Sequence, residues 1–297
     1  MVGFFRGTAT AMITPFAKDG TVNFGAFGKM IDFQIENGTD ALVILGTTGE
    51  PATMTEAEKE EVMRFSVQKV AGRAKIVFGS GSNNTAHAVE ASKKAEALGA
   101  DGLLVVTPYY NKCTQNGIYE YYRAVAEAVH IPIICYNVPP RTGVNILPAT
   151  MEKVASLPNI AGVKEACGNM EQICETARRI RGKCDLYSGD DNLNLPILAV
   201  GGAGLISVAS NIIPRETKQL YNFVQAGDLA SANAVQDRML PVIDAMFLEV
   251  NPIPAKAAAD MIGLEGGAPR APLTELEPAH KEQMRQILTQ FGLHVIA

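Results

Sequence analysis

The sequence predicts an α/β fold, a (β/α)8 TIM barrel with a C-terminal helical extension, and three observations carry that reading. Apolar, strand-like runs alternate with segments of helical period, and eight such runs can be counted before residue 210. The runs are continuously apolar rather than alternating, as in a parallel sheet covered on both faces. No glycine fingerprint follows the first run, which ends in Thr14-Pro15, so a closed barrel fits better than an open doubly wound sheet. The barrel is expected over residues 1–226 and the extension over 227–297.

The elements follow in order. A strand over 8–13 precedes a helical pattern over 24–36 that closes at Asn37-Gly38. The next strand, 41–45, runs into Gly46-Thr47-Thr48-Gly49-Glu50, and Thr55 with Glu58 three residues on forms a capping box for the helix after it. Further strands are expected at 75–78, 102–106, 132–136, 159–166, 184–188 and 204–208. Helices between them cover 86–98, 117–129, 148–155 and 170–180. From Pro214 onward the pattern is helical: 216–225 closes the barrel, and 230–247, 255–262 and 278–290 form the extension, with the Gly- and Pro-rich stretch 265–272 as its loop.

The composition limits the function. Of the 297 residues 47% are hydrophobic and 19% charged, the balance of a globular protein with a sizeable core. A net charge of −5 without a basic run argues against a nucleic acid or an anionic membrane as partner and for a small-molecule substrate. Five cysteines form an odd set with no CxxC pair, and His87, His130, His280 and His294 are scattered. Neither a disulfide framework nor a metal site follows. The N-terminal residues hold no apolar run of signal-peptide length, and the longest apolar stretch, 197–208, is broken by Gly201, Gly202 and Gly204, so a cytoplasmic protein is expected.

In such a barrel the site lies at the C-terminal ends of the strands. Thr47 and Thr48 stand after strand two, Tyr109 and Tyr110 after strand four, Tyr136 and Arg141 after strand five, Lys164 at the end of strand six, and Ser188-Gly189-Asp190-Asp191 after strand seven. Lys164 ends an apolar strand, where partial desolvation would lower its pKa and make a nucleophilic amine. On this stretch alone the other reading is equally open, a lysine reaching solvent and pairing with Glu165. A neutral lysine amine, phenols and hydroxyl donors together suit Schiff-base catalysis on a keto acid. Thr47 and Thr48 can offer donors to a carboxylate, and Arg141, between Pro139-Pro140 and Gly143, can take a second one bidentately. Each residue has a plainer role open to it. The threonines can cap a turn, the tyrosines can pack with satisfied hydroxyls, and Asp190 and Asp191 can N-cap the next helix. The glycine-serine loop after Gly79 is a weak candidate for a phosphate cradle, since no basic residue follows closely.

Five motifs carry a resemblance over essentially the whole chain: Gly46-Thr47-Thr48-Gly49-Glu50, Thr107-Pro108-Tyr109-Tyr110, Tyr136-Asn137-Val138-Pro139 with Arg141-Thr142-Gly143, Gly162-Val163-Lys164-Glu165, and Asn251-Pro252-Ile253-Pro254. The chain resembles the dihydrodipicolinate synthase family of pyruvate-dependent class I aldolases. That resemblance implies a pyruvate Schiff base on Lys164 and proton relay by Tyr136. It implies that Thr47 links Tyr136 to Tyr110, the latter reaching in from a neighbouring subunit of a tetramer built as a dimer of dimers. Thr48 would hold the pyruvate carboxylate, Arg141 the carboxylate of L-aspartate 4-semialdehyde, and Ile206 would line the pyruvate pocket through its carbonyl. Gly189 and Asp190 join them as candidate substrate-binding residues. The implied product is 4-hydroxy-tetrahydrodipicolinate, in lysine (diaminopimelate) biosynthesis, with no cofactor beyond the covalent pyruvate–lysine adduct and no metal.

The alternatives are an N-acetylneuraminate lyase or 2-keto-3-deoxy sugar acid aldolase on the same scaffold and, from another class, a non-catalytic barrel that binds a keto acid. Arg141-Thr142-Gly143 and the paired threonines favour the synthase reading, since the sugar-acid lyases generally lack that arginine motif. At the position of the family's lysine-effector pocket, Asn83 and Tyr109 match, but His87 replaces a glutamate and Lys59 a histidine. Weak or absent feedback by lysine is therefore expected.

Overall fold

The computed structural model describes residues 3–296; Met1, Val2 and Ala297, at the ends of the expected barrel and extension, lie outside the described residues. Eight strands follow one another in sequence order and close into a barrel: β1 (Gly7–Ala11), β2 (Ala41–Ile44), β3 (Lys75–Gly79), β4 (Gly102–Val106), β5 (Ile133–Asn137), β6 (Ile160–Glu165), β7 (Asp185–Ser188) and β8 (Gly204–Ser207). The helices are α1 (Phe24–Glu36), α2 (Glu56–Val70), α3 (Thr85–Ala97), α4 (Gln115–Ala128), α5 (Pro139–Thr142), α6 (Pro148–Val154), α7 (Met170–Ile180), α8 (Asn194–Ala199), α9 (Pro214–Gln225), α10 (Leu229–Ala245), α11 (Ile253–Met261) and α12 (Pro278–Phe291). The expected fold class is the one observed.

Local chemistry explains where the helices start. Each orphan N–H at a helix N-terminus needs an acceptor, and Asn23, Asn84, Thr114 and Asn169 supply side-chain oxygens to α1, α3, α4 and α7. Thr55 and Glu58 close the capping box of α2 in both directions. Strand ends shift by a residue or two from the sequence pattern. β1 stops at Ala11 because the N–H of Ile13 turns to the Asn211 side chain at 3.2 Å. β2 stops at Ile44 because Leu45 takes a φ of 58° and swings the chain out of the sheet.

The chain divides into two compact units. The first holds residues 3–7 and 75–206, with β3 to β7 and most of β8. Its strands pair in parallel and are almost wholly buried. Tyr136 on β5, Lys164 on β6 and Tyr187 on β7 stand in register, and so share one face of the sheet. Gly162 shares that face. A Cβ there would lie 2.7 Å from a Tyr187 ring carbon and 2.8 Å from the Asp185 carbonyl oxygen, so only glycine lets the ring in. Phe5 stacks on that ring at 4.5 Å, and the Tyr187 hydroxyl donates to the Phe5 carbonyl at 2.8 Å.

The second unit holds residues 8–74 and 207–296, with most of β1, β2, α1, α2 and α9 to α12. A buried polar chain ties it together. Thr10 donates to Gln34 at 2.6 Å, Gln34 to the Ser210 carbonyl at 2.9 Å, and Asn211 to the Ala11 carbonyl at 2.8 Å. Met239, Val242 and Ile243 of α10 and Met284 and Leu288 of α12 are fully buried, each worth about 1.5–3 kcal/mol of transfer free energy.

Candidate active site

Lys164 does not reach solvent and does not pair with Glu165. Consecutive strand residues point to opposite faces, and Lys164 is only 4% exposed. Burial lowers its pKa to about 8, with the charge of Asp191 pulling upward and that of Arg141 pushing further down. Its Nζ lies 4.3 Å from the centroid of the Tyr136 ring. Tyr136 is itself buried, which pushes its phenol up to about 12 against the opposing influence of Arg141. The pair is therefore a phenol that keeps its proton and an amine that can lose one near neutral pH.

The backbone around this pair is held by short-range bonds. Gly189 packs against Lys164 so closely that a Cβ would sit 2.7 Å from Lys164 Cε and 2.8 Å from its Cγ. The Gly189 N–H donates to the Glu165 carbonyl at 2.7 Å. Asp190 N-caps the short turn Asp191–Leu193, accepting from the Asn192 N–H at 3.2 Å, and burial raises its carboxyl pKa. Asp191 is buried and accepts from Asn194 at 3.0 Å. Ile206, two residues beyond Gly204 on β8, shares the face of Tyr187 through the Tyr187–Gly204 register and is 1% exposed.

Arg141 is exposed at the end of the one-turn helix α5. The Thr142 hydroxyl donates to the Val144 carbonyl at 2.9 Å, and the Thr142 carbonyl accepts the Tyr110 N–H at 3.4 Å. The Arg141 turn and the Tyr110 loop thus brace each other. Tyr110 has a φ of 69° and is 90% exposed, so its ring stands away from the Lys164–Tyr136 pair within one chain.

The motif after β2 forms a tight turn, Thr47–Gly49, in which Thr47 is exposed and Thr48 buried. Thr48 Oγ1 accepts from Asn251 Nδ2 at 2.9 Å. Glu50 leaves the turn with a φ of 56° and meets Lys256 Nζ at 2.6 Å in an ion pair with both side chains at most 2% exposed. The Arg270 N–H donates to the second Glu50 oxygen at 2.9 Å, and Lys256 also donates to the Thr14 carbonyl at 2.9 Å. Asn251 and Glu50 were visible in the sequence only as parts of motifs. Lys256 belongs to none of the motifs, although a lysine flanked by the apolar residues Ile253 to Ala255 and Ala257 to Ala259 of α11 is a usable signal.

Sequence reading also missed the network behind Lys164. Asn137 Nδ2 donates to Glu165 Oε1 at 2.7 Å and to Asn145 Oδ1 at 3.0 Å, and Asn145 passes the chain to Gln172 at 2.8 Å. Burial pushes the Glu165 carboxyl up to about 7, with hydrogen bonds from Cys167 and Asn137 pulling the other way. Among the described residues no group of three or more His, Cys, Asp or Glu side chains is placed to hold a metal, and no helix is long and apolar enough to cross a membrane.

The chain is similar to known proteins over nearly its full length. Residues 4–291 match the model of the dihydrodipicolinate synthetase family. A 4-hydroxy-tetrahydrodipicolinate synthase of Caldicellulosiruptor bescii is 48% identical over 294 residues, 99% of either chain. The crystal structure of dihydrodipicolinate synthase from Aquifex aeolicus superposes with a TM-score of 0.96 at 44% identity, covering 99% of this chain and 100% of that one. The chloride-inhibited dihydrodipicolinate synthase of Acinetobacter baumannii, complexed with pyruvate, superposes with a TM-score of 0.95 at 38% identity over 97% of this chain and 99% of that one. With a lysine of lowered pKa beside a protonated phenol in the matched region, the chain belongs to the dihydrodipicolinate synthetase family.

Proposed function

We propose that the protein is a 4-hydroxy-tetrahydrodipicolinate synthase that condenses pyruvate with L-aspartate 4-semialdehyde in lysine (diaminopimelate) biosynthesis. The observation that carries the reading is Lys164, buried, with its pKa lowered to about 8 and its amine 4.3 Å from the Tyr136 ring centroid. A neutral amine attacks the pyruvate ketone, and loss of water gives an iminium on Lys164. The iminium acts as an electron sink that acidifies the methyl group, and loss of a methyl proton to the proton relay leaves an enamine whose carbon attacks the aldehyde. The amine of the semialdehyde then displaces Lys164 and closes the ring. Tyr136, which keeps its proton at neutral pH, moves protons between these steps.

Thr48 binds the pyruvate carboxylate in this reading, and Arg141 that of the semialdehyde, with a planar fork suited to two oxygens. Thr47 joins Tyr136 to a Tyr110 supplied by a second copy. A ring 90% exposed in one chain supports that assignment, and a homotetramer arranged as a dimer of dimers supplies the copy. Ile206, Gly189 and Asp190 line the substrate. Residues 1–226 act as the catalytic barrel and 227–297 as its extension. The bound keto acid on Lys164 is the only prosthetic chemistry the reaction requires. Five unpaired thiols suit a reducing cytoplasm.

The test joins borohydride trapping to a coupled assay. Pyruvate should become covalently attached to the wild type and not to Lys164→Ala, and synthase turnover should collapse in Arg141→Ala. Cleavage of a keto-deoxy sugar acid that survives Arg141→Ala would move the protein to the lyase branch. Binding of keto acid without turnover of either kind would make it a sensor.

A further inference from the structure

The chemistry of a carboxylate site requires a hydroxyl that donates, and a hydroxyl has only one proton to give. Thr48 is 3% exposed, so little water is available to satisfy it, and its Oγ1 accepts from the Asn251 amide at 2.9 Å. An amide N–H₂ donates only. Once Asn251 occupies one lone pair of Oγ1, the Thr48 proton has to point elsewhere. We propose that Asn251, carried by the C-terminal extension, is a positioning residue that orients the Thr48 hydroxyl as a donor toward the carboxylate of the keto-acid substrate. This deepens the reading of Thr48 given above and rests on it.

The surroundings of Asn251 fit such a task. The same segment holds the threonine turn at two points, through Asn251 to Thr48 and, five residues on, through Lys256 to Glu50 at 2.6 Å. A third tie comes from the Thr14 hydroxyl, which donates to the Gly49 carbonyl at 2.8 Å. Within the turn itself only two backbone bonds close the chain, Gly49 N–H to Gly46 at 2.8 Å and Glu50 N–H to Thr47 at 3.2 Å. Glu50 at a φ of 56° is held where a non-glycine residue does not rest by itself. The shape of the turn is therefore imposed by side chains distant in sequence. Asn251 is 203 residues from Thr48, and itself 4% exposed. The extension acquires a role beyond packing: it sets the polarity of a substrate contact.

The sharpest variant is Asn251→Asp. Its carboxylate only accepts, so it would draw the Thr48 proton to itself and place a negative charge beside an anionic substrate. Losing a charge-assisted hydrogen bond corresponds to about a 10- to 100-fold rise in the KM for pyruvate. The KM for aspartate semialdehyde should stay within about twofold, a change below ordinary hydrogen-bond magnitudes. Asn251→Ala, which leaves the hydroxyl undirected, should raise the pyruvate KM by less, about 3- to 10-fold. In a Thr48→Val background Asn251→Ala should add nothing, because no hydroxyl remains to orient.

A merely structural residue would shift both KM values and the melting temperature together, make the alanine and aspartate variants equivalent, or add its effect to that of Thr48→Val. Any of these results overturns the proposal. The Asn251→Ala and Thr48→Val pair decides the matter even if the aspartate variant does not fold. A wild type that yields no borohydride-trapped pyruvate adduct would instead remove the keto-acid reading itself. A trapped adduct with an unchanged pyruvate KM in Asn251→Asp and in Asn251→Ala removes only the role of Asn251.

Discussion

Asn137 and Glu165 face each other across β5 and β6, with Nδ2 and Oε1 at 2.7 Å, each one residue beyond Tyr136 and Lys164 on the same two strands. Because side chains alternate, this bond lies on the opposite face of the sheet from the amine and the phenol. It fixes the spacing of the two strands where the chemistry needs it fixed. Glu165 is held there at a cost, since burial raises its carboxyl from 4.5 to about 7.

That shift makes a signed prediction. Below pH 4.5 the carboxyl is protonated in the folded and unfolded chains alike and contributes no pH dependence. Between 4.5 and 7 only the unfolded chain releases the proton, so stability falls with rising pH, by on the order of 3 kcal/mol in total. Glu165→Gln keeps the acceptor for Asn137 and removes the titration. Its stability relative to wild type should climb across that window, as read from urea midpoints at several pH values. A difference that stays flat with pH would show that Glu165 is ionised throughout.

A second prediction concerns the amine itself. At pH 7 a lysine with a pKa of about 8 is about one-tenth neutral, against under about a thousandth for an ordinary lysine. The rate of borohydride trapping with pyruvate alone should therefore rise with pH through a midpoint near 8 and level off above it. Asp191→Asn removes the charge that pulls the lysine upward, so its midpoint should move down; Arg141→Ala removes one that pushes it down, so its midpoint should move up. Omitting the semialdehyde separates this effect of Arg141 from the binding role proposed for it. Midpoints that coincide, or that move in the reverse order, would refute the electrostatic account.

Gly189→Ala tests how tightly Lys164 is placed. The new Cβ would lie 2.7 Å from Lys164 Cε and 3.0 Å from the Glu165 carbonyl oxygen, and the flexible lysine is what can yield. Overpacking of this kind costs about 1–3 kcal/mol of stability, whereas a misplacement of roughly 1 Å at a reacting group can cost about 100-fold in rate. The expected result is a folded protein with kcat down by about two orders of magnitude. Wild-type turnover in the variant would mean that the lysine has room to spare.

How far the sequence could lead depends on how local each cause is. The ends of α1, at Phe24 and Glu36, and of α7, at Met170 and Ile180, agree with the pattern because their caps, Asn23 and Asn169, stand beside them. The sequence around Lys164 leaves burial and solvent equally open because its fate is decided by Gly162 and Gly189, glycines that matter only once β7 and the loop after it are packed against β6. Glu50 and Lys256 are 206 residues apart, and nothing near either announces the other. Tyr110 can be named from its motif, yet its ring is 90% exposed within one chain, which no pattern around it announces.

Lysine feedback should be weak or absent. His87 stands exposed in the first turn of α3, just after Asn83 and Asn84, while Lys59 is engaged by Glu56 at 2.7 Å. Neither offers the anion that an effector ammonium requires. Initial rates measured against added L-lysine should not change in the submillimolar range, and half-inhibition within that range would contradict this.

The Lys256–Glu50 pair gives the last prediction, one about stability. Both charges are out of water, and burial lowers the Lys256 pKa even though Glu50 opposes the change. The ring of Phe16, 4.2 Å from Nζ, and the Thr14 carbonyl complete the shell of the ammonium. Desolvating two ions consumes most of their mutual attraction, so the intact pair contributes little net stability, but a lone member is expensive to bury. Lys256→Met should cost roughly 3–5 kcal/mol by leaving the Glu50 carboxylate uncompensated. Adding Glu50→Gln removes that charge while keeping an acceptor for the Arg270 N–H, so the double variant should be more stable than Lys256→Met alone. Urea denaturation of both single variants and the double closes the cycle. If the double variant loses the sum of the two single losses, the charges act independently and the pair does not hold the turn after β2.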